Sequence, residues 1–135
     1  MKVLRVLMMA LALMMTSGIQ AQVYNSNGSN CGKIESNGTV RNSSGSSIGK
    51  IESNGVVRNG NGSQIGKIDS DGTIRNSSGS SIGKVDRDGV VRNGNGSQIG
   101  KIDNDGTVRN GNGSSIGKVY GVPKEWAAAY FFFFF

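Results

Sequence analysis

The chain has 135 residues, with 15 Lys and Arg against 9 Asp and Glu for a net charge of +6, and it carries 22 glycines, one cysteine and no histidine. That length suits one domain. The missing histidine and the lone Cys31 exclude Ser-His-Asp and Cys-His catalysis, His-based zinc sites and an internal disulfide. The charges are interspersed without a basic block, so nucleic acid is not an expected partner.

Residues 1–21 read as a secretory signal peptide. Lys2 and Arg5 precede an apolar run from Val6 to Met15, and a polar neck ends in Ile19-Gln20-Ala21, with cleavage expected after Ala21. The apolar run is too short to span a bilayer comfortably. The expected location is therefore secreted or periplasmic. The remaining chain keeps 13 basic and 9 acidic residues.

Residues 22–120 repeat at 17. Gly38, Gly55, Gly72, Gly89 and Gly106 close one set of turns, and Gly28, Gly45, Gly62, Gly79, Gly96 and Gly113 close another. A third glycine series sits between two apolar residues and is followed by lysine, as in Ile65-Gly66-Lys67-Ile68. Such regularity marks one supersecondary unit copied around or along an axis. Short runs of Ile, Val and Thr broken by Asn-Gly, Asp-Gly and Ser-Gly make that unit a β-hairpin.

The register follows from the two faces. A two-residue turn at Asn54-Gly55 would set Ile51 opposite Arg58 and mix apolar with charged on both faces. A three-residue loop, Ser53-Asn54-Gly55 with left-handed Gly55, pairs Ile51 with Val57 and Lys50 with Arg58. The same logic makes Gly60-Asn61-Gly62 a three-residue loop, with Arg58 opposite Gln64 and Val57 opposite Ile65. Ile65 and Ile68 are three apart, so a bulge at Gly66 is expected to return both to the core. That bulge absorbs the odd seventeenth residue. Strands at Val23-Tyr24-Asn25 and Ile116 to Tyr120 would add a sixth hairpin to the five full ones if they pair.

Residues 121–135, "GVPKEWAAAYFFFFF", form an aromatic tail. Pro123 suits the first turn of a short helix. The repeats offer about three aliphatic side chains each, so the ring needs a filler, and the tail is expected to cap or plug its apolar face. Membrane or partner contact through Phe131–Phe135 is the less favoured reading.

The repeated hairpins, the leader and the tail together resemble the 5-fold beta-flower family of secreted Bacteroides-type bacterial proteins. The resemblance implies a fold: all-β, a pseudo-symmetric ring of five or six 17-residue hairpins, with the tail on its apolar face. It implies no catalytic residue, substrate or cofactor.

Candidate chemistry is sparse. Cys31 stands where other repeats have Ile48, Ile65, Ile82, Ile99 and Ile116, as a small apolar residue would. Asp69-Ser70-Asp71-Gly72 and its copies look like fragments of a calcium loop, but the twelfth-position Glu is missing and Asp suits these turns anyway. Carboxylates that recur in near-identical surroundings do not separate into an acid and a base. No enzyme, metal or cofactor is expected. The charged face remains: Lys50, Arg58, Lys67, Arg75, Lys84, Arg92, Lys101 and Arg109. It reads either as a solvated face or as a ligand face for anionic glycans or envelope polymers. The expected role is a monomeric, non-enzymatic structural scaffold, with a multivalent glycan-binding module as the alternative.

Overall fold

The computed structural model describes residues 21–135; the signal-peptide reading falls largely outside them. Twelve short antiparallel strands form a closed barrel. They are β1 Ala21–Asn25, β2 Asn30–Ile34, β3 Thr39–Asn42, β4 Ser47–Ile51, β5 Val56–Asn59, β6 Gln64–Ile68, β7 Thr73–Asn76, β8 Ser81–Val85, β9 Val90–Asn93, β10 Gln98–Ile102, β11 Thr107–Asn110 and β12 Ser115–Val119. Each strand pairs with its sequence neighbour. The seam closes where β1 meets β12, with Val23 opposite Val119 and Tyr24 opposite Lys118. The ring is therefore sixfold. Ala21, expected at the leader's end, lies in β1 opposite Ile34.

The loops have three residues at both rims. Glu52 N–H donates to Val56 O and Gly55 N–H to Glu52 O, enclosing Ser53-Asn54-Gly55. Asn59 N–H donates to Ser63 O and Gly62 N–H to Asn59 O, enclosing Gly60-Asn61-Gly62. Gly72 has φ 92°, a left-handed value that favours glycine. This conformation lets its carbonyl accept the Val85 N–H of the next hairpin at 2.9 Å. The same bond links each of these five turns to its neighbour, so one rim is stitched around most of the ring.

Ile51 pairs with Val57 and Lys50 with Arg58, as the two-face pattern predicts. The bulge differs in detail. Arg58 does oppose Gln64, but Val57 opposes Gly66, and Ile65 is the additional residue. Slipping at Ile65 turns Gly66 toward the barrel interior while Ile65 stays half-buried against the core.

Two interior layers result. Near the stitched rim lie twelve aliphatic side chains, two per hairpin, all essentially buried: Val23 and Val119 at the seam, then Ile34 with Val40, Ile51 with Val57, and so on round the ring. Beyond them lies a layer of six buried glycines: Gly32, Gly49, Gly66, Gly83, Gly100 and Gly117. A barrel of about eight strands is just wide enough for its own side chains to fill. Twelve strands lined by aliphatics and glycines leave a lumen that the sheet cannot close by itself.

The tail fills it. Helix α1, Lys124–Ala128, starts at the stitched rim, where Lys124 Nζ donates to Asn104 Oδ1 at 2.7 Å. Pro123 sits just before it at the cap rather than inside the first turn. Ala127, Ala128 and Ala129 are 0–1% exposed, small enough to lie among the aliphatic side chains. The chain then widens into a π-helical segment, Ala129–Phe134.

Its side chains and those of Phe135 fan out singly. The Tyr130 hydroxyl lies against Gly32, Phe131 against Gly117, Phe132 against Gly100, Phe133 against Gly83, Phe134 against Gly66 and Phe135 against Gly49. Each step along the tail moves one hairpin round the ring. Phe135 comes back beside Tyr130, ring centroids 6.2 Å apart, completing the circle. An α-helix of 3.6 residues per turn would place residues i and i+4 on one hairpin and leave others empty. The wider winding gives every hairpin one aromatic ring.

Two consequences can be measured. A chain ending at Val122 loses the plug and should lose cooperative unfolding and aggregate, as read by thermal melts beside the full chain. A Cβ at Gly66 would overlap both the Phe134 ring and the Arg75 carbonyl. Gly66→Ala should therefore destabilise by about 1–3 kcal/mol. In denaturant titrations, Phe134→Leu should relieve part of that loss, whereas Phe131→Leu, on a different hairpin, should simply add to it.

Candidate functional site

The charged face is the outer wall of the barrel. Direct cross-strand pairing brings Lys50 to Arg58, Lys67 to Arg75, Lys84 to Arg92 and Lys101 to Arg109. Lys33 and Arg41 form the same pair in the first hairpin.

The two cation types are placed differently. Each arginine reaches back six residues: Arg41 to Glu35, Arg58 to Glu52, Arg75 to Asp69, Arg92 to Asp86 and Arg109 to Asp103, at 2.7–3.3 Å. Each also donates from Nη1 to a glycyl carbonyl in the opposite rim, as Arg58 does to Gly62 at 3.0 Å. The guanidinium fork thus braces both ends of its hairpin. Half-exposed pairs of this kind contribute little each, about 0–1 kcal/mol. Lys50, Lys67 and Lys84 are exposed and make no ion pair.

At the seam the pattern breaks. Tyr24 takes the arginine position and Tyr120 the carboxylate position, and both are exposed, at 37% and 69%. Inside, it is the first hairpin that differs. Tyr130 replaces phenylalanine where Cys31 replaces isoleucine, and the phenol hydrogen-bonds to the Cys31 side chain. Burial first, then the Cys31 charge and this bond, push the Tyr130 hydroxyl up to about 12. The smaller cysteine makes room for the extra oxygen and gives it a partner.

Shallow clefts lie between adjacent turns of the stitched rim, and the tail contributes Glu125 or Trp126 to some of them. One of about 440 Å³ is lined by Asp71, Lys84, Asp86, Arg87 and Glu125, among others. A second, of about 490 Å³, contains Asn37, Lys50, Asn54 and Trp126. A third, about 430 Å³, has Asn54, Lys67, Asp69 and Asp71. The belt lysines therefore form part of these clefts. Sequence reasoning missed Asn37, Asn54 and Trp126 as a group. The available signal was the change from Asn37 and Asn54 to Asp71, Asp88 and Asp105 at one turn position.

Among the described residues no His, Cys, Asp and Glu group could hold a metal ion. The carboxylates that suggested calcium serve the turns. Asp71 Oδ1 accepts the Thr73 N–H at 3.0 Å and Asp105 Oδ1 the Thr107 N–H at 3.0 Å. These backbone bonds, with help from the threonine hydroxyls, hold both carboxyls below the ordinary aspartate value. Asn54 makes the equivalent bond to Val56 without a charge.

With a ring of 17-residue hairpins and its tail in view, one comparison is decisive: residues 20–135 match the family described as 5-fold beta-flower protein. The chain belongs to that family. The β-flower is a small repeat fold with no known enzymatic role. This β-flower closes with six hairpins, one more than the family description counts. No curated protein and no solved structure matches the chain.

The lowered Asp71 carboxyl sets a direction with pH. Its contribution to stability is complete above the ordinary aspartate pKa of 3.8 and is lost as pH falls through the lower folded-state value. Asp71→Asn keeps the turn bond, as Asn54 does, and removes the titration. Melting temperatures taken down the acid range should fall more steeply for the wild-type chain than for Asp71→Asn.

Proposed function

We propose that this β-flower is a secreted or periplasmic, non-enzymatic scaffold that presents evenly spaced lysines to anionic glycans or envelope polymers. The observation that carries this reading is the division of labour between the two cations. Arginines are held by a carboxylate and a backbone carbonyl, while Lys50, Lys67 and Lys84 project unpaired at the same place in successive hairpins. A polymer with regularly placed anions can engage several lysines at once, so weak contacts combine through high effective concentration. Strands of four or five residues fall short of the roughly 9–11 needed to cross a bilayer, which supports action in water.

A purely structural role is supported by a different observation. The closed barrel has no unpaired strand edge, which disfavours edge-to-edge association and suits a stable monomer.

Retention on an immobilised polyuronate separates the two. Binding predicts retention at low ionic strength, release as salt rises, and earlier release of a Lys50→Gln, Lys67→Gln, Lys84→Gln triple variant. Flow-through of the wild-type chain at low salt leaves only the structural role.

A further inference from the structure

We propose that the cleft containing Trp126 is a dedicated site for one acidic sugar residue, a pyranose bearing a carboxylate or sulfate. The ligand class rests on the glycan reading above and the site shares Lys50 with the charged face, but Trp126, Asn37 and Asn54 lie outside that face and carry the separate readout. The two ideas fail separately.

Two departures from the sixfold repeat coincide at this cleft, beside a lysine without an ion pair. The first is Trp126, the chain's one tryptophan. It is half-buried and lines two adjoining clefts that flank the Ser53-Asn54-Gly55 turn. The second is the turn chemistry. Asn37 and Asn54 stand here, where later hairpins carry Asp71, Asp88 and Asp105. Their Oδ1 atoms accept the N–H groups of Thr39 and Val56, which leaves both Nδ2 groups as exposed donors. The asparagines set the charge of the cleft. Lys50 is exposed and makes no ion pair, while the cleft's one carboxylate, Glu52, is held by Arg58 at 3.3 Å.

The chemistry of that set is specific. An indole face attracts the slightly positive C–H edges of a sugar ring, because the π-cloud is negative. Amide donors and the hydroxyls of Ser36 and Ser53 suit ring hydroxyls. A lone lysine suits one anionic substituent. The volume, about 490 Å³, lies within the usual 300–1,000 Å³ range of small-ligand sites. The cleft two hairpins on sets Asp71 and Glu125 against Lys84 and Arg87, with Asp86 held by Arg92, so it offers an anion no surplus positive charge. Selectivity thus arises because Trp126, on the asymmetric tail, lies beside the two turns that lack the second carboxylate.

The test uses the full chain and the fluorescence of Trp126, which as the only tryptophan reports this cleft. Trigalacturonate or a sulfated galactose should give a saturable change. Neutral galactotriose should bind about tenfold more weakly, and Lys50→Gln should cost about the same factor, 1.4 kcal/mol. The double variant Asn37→Asp, Asn54→Asp copies a turn that later hairpins already tolerate. It should keep its melting temperature and lose the response, whereas Lys84→Gln should keep it. The site is overturned if no acidic sugar gives a saturable change, even with polyuronate still retained on the column. An equal response to galactotriose or to AMP, or an equal loss in Lys84→Gln, overturns it too.

Discussion

The molecule depends on six missing side chains. At Gly32, Gly49, Gly66, Gly83, Gly100 and Gly117 the barrel wall faces inward with only backbone, and an aromatic side chain occupies the space. The contact is steric before it is attractive. A methyl group at any of these positions would meet a ring or hydroxyl of the tail on one side and a carbonyl of the wall on another. Because a barrel of this girth cannot be filled by aliphatic side chains alone, the tail completes the core. The alanines at the narrower aliphatic layer and the aromatics at the glycine layer are two answers to one question of available radius.

Much of this was legible in the chain. Face consistency alone selects the three-residue loops and places Lys50 beside Arg58 and Ile51 beside Val57. Turn chemistry marks Gly72 as left-handed. What stayed hidden was non-local. The pairing of Val23 with Val119 joins short segments from opposite ends of the repeats, so local pattern leaves five and six hairpins equally open. The bulge glycine carries a related lesson. In the sequence Gly66 has a backbone reason to exist; in the structure its reason is Phe134, 68 residues away. The grouping of Trp126 with Asn37 and Asn54 was equally out of reach, since nothing local tells where the first helical turn of a plug will point.

Near-perfect repetition also makes the exceptions informative. Tyr24 and Tyr120 replace an ion pair at the seam, where the hairpin lacks a connecting turn. Cys31 and Tyr130 exchange an isoleucine and a phenylalanine for a hydrogen-bonded pair. Asn37 and Asn54 replace aspartates beside Trp126. Two of these three departures involve the tail, which cannot share the ring's symmetry because it is one strand of chain on the axis. A symmetric wall around an asymmetric plug thereby acquires distinguishable sectors without any change of fold.

The one-to-one match between aromatic and hairpin also bears on how such a gene could change in length. Tandem 51-nucleotide units (three nucleotides for each of 17 residues) recombine unequally with ease, and each event would add or remove one hairpin. A ring enlarged that way would hold an inner glycine with no aromatic opposite it, and a ring reduced would hold a surplus phenylalanine with no glycine to receive it. Copy number and tail length are therefore coupled across the length of the gene. A viable change in one requires a change in the other, and the run of identical phenylalanines, any of which can serve any hairpin, is the kind of tail that a single codon gained or lost can re-match to a new ring.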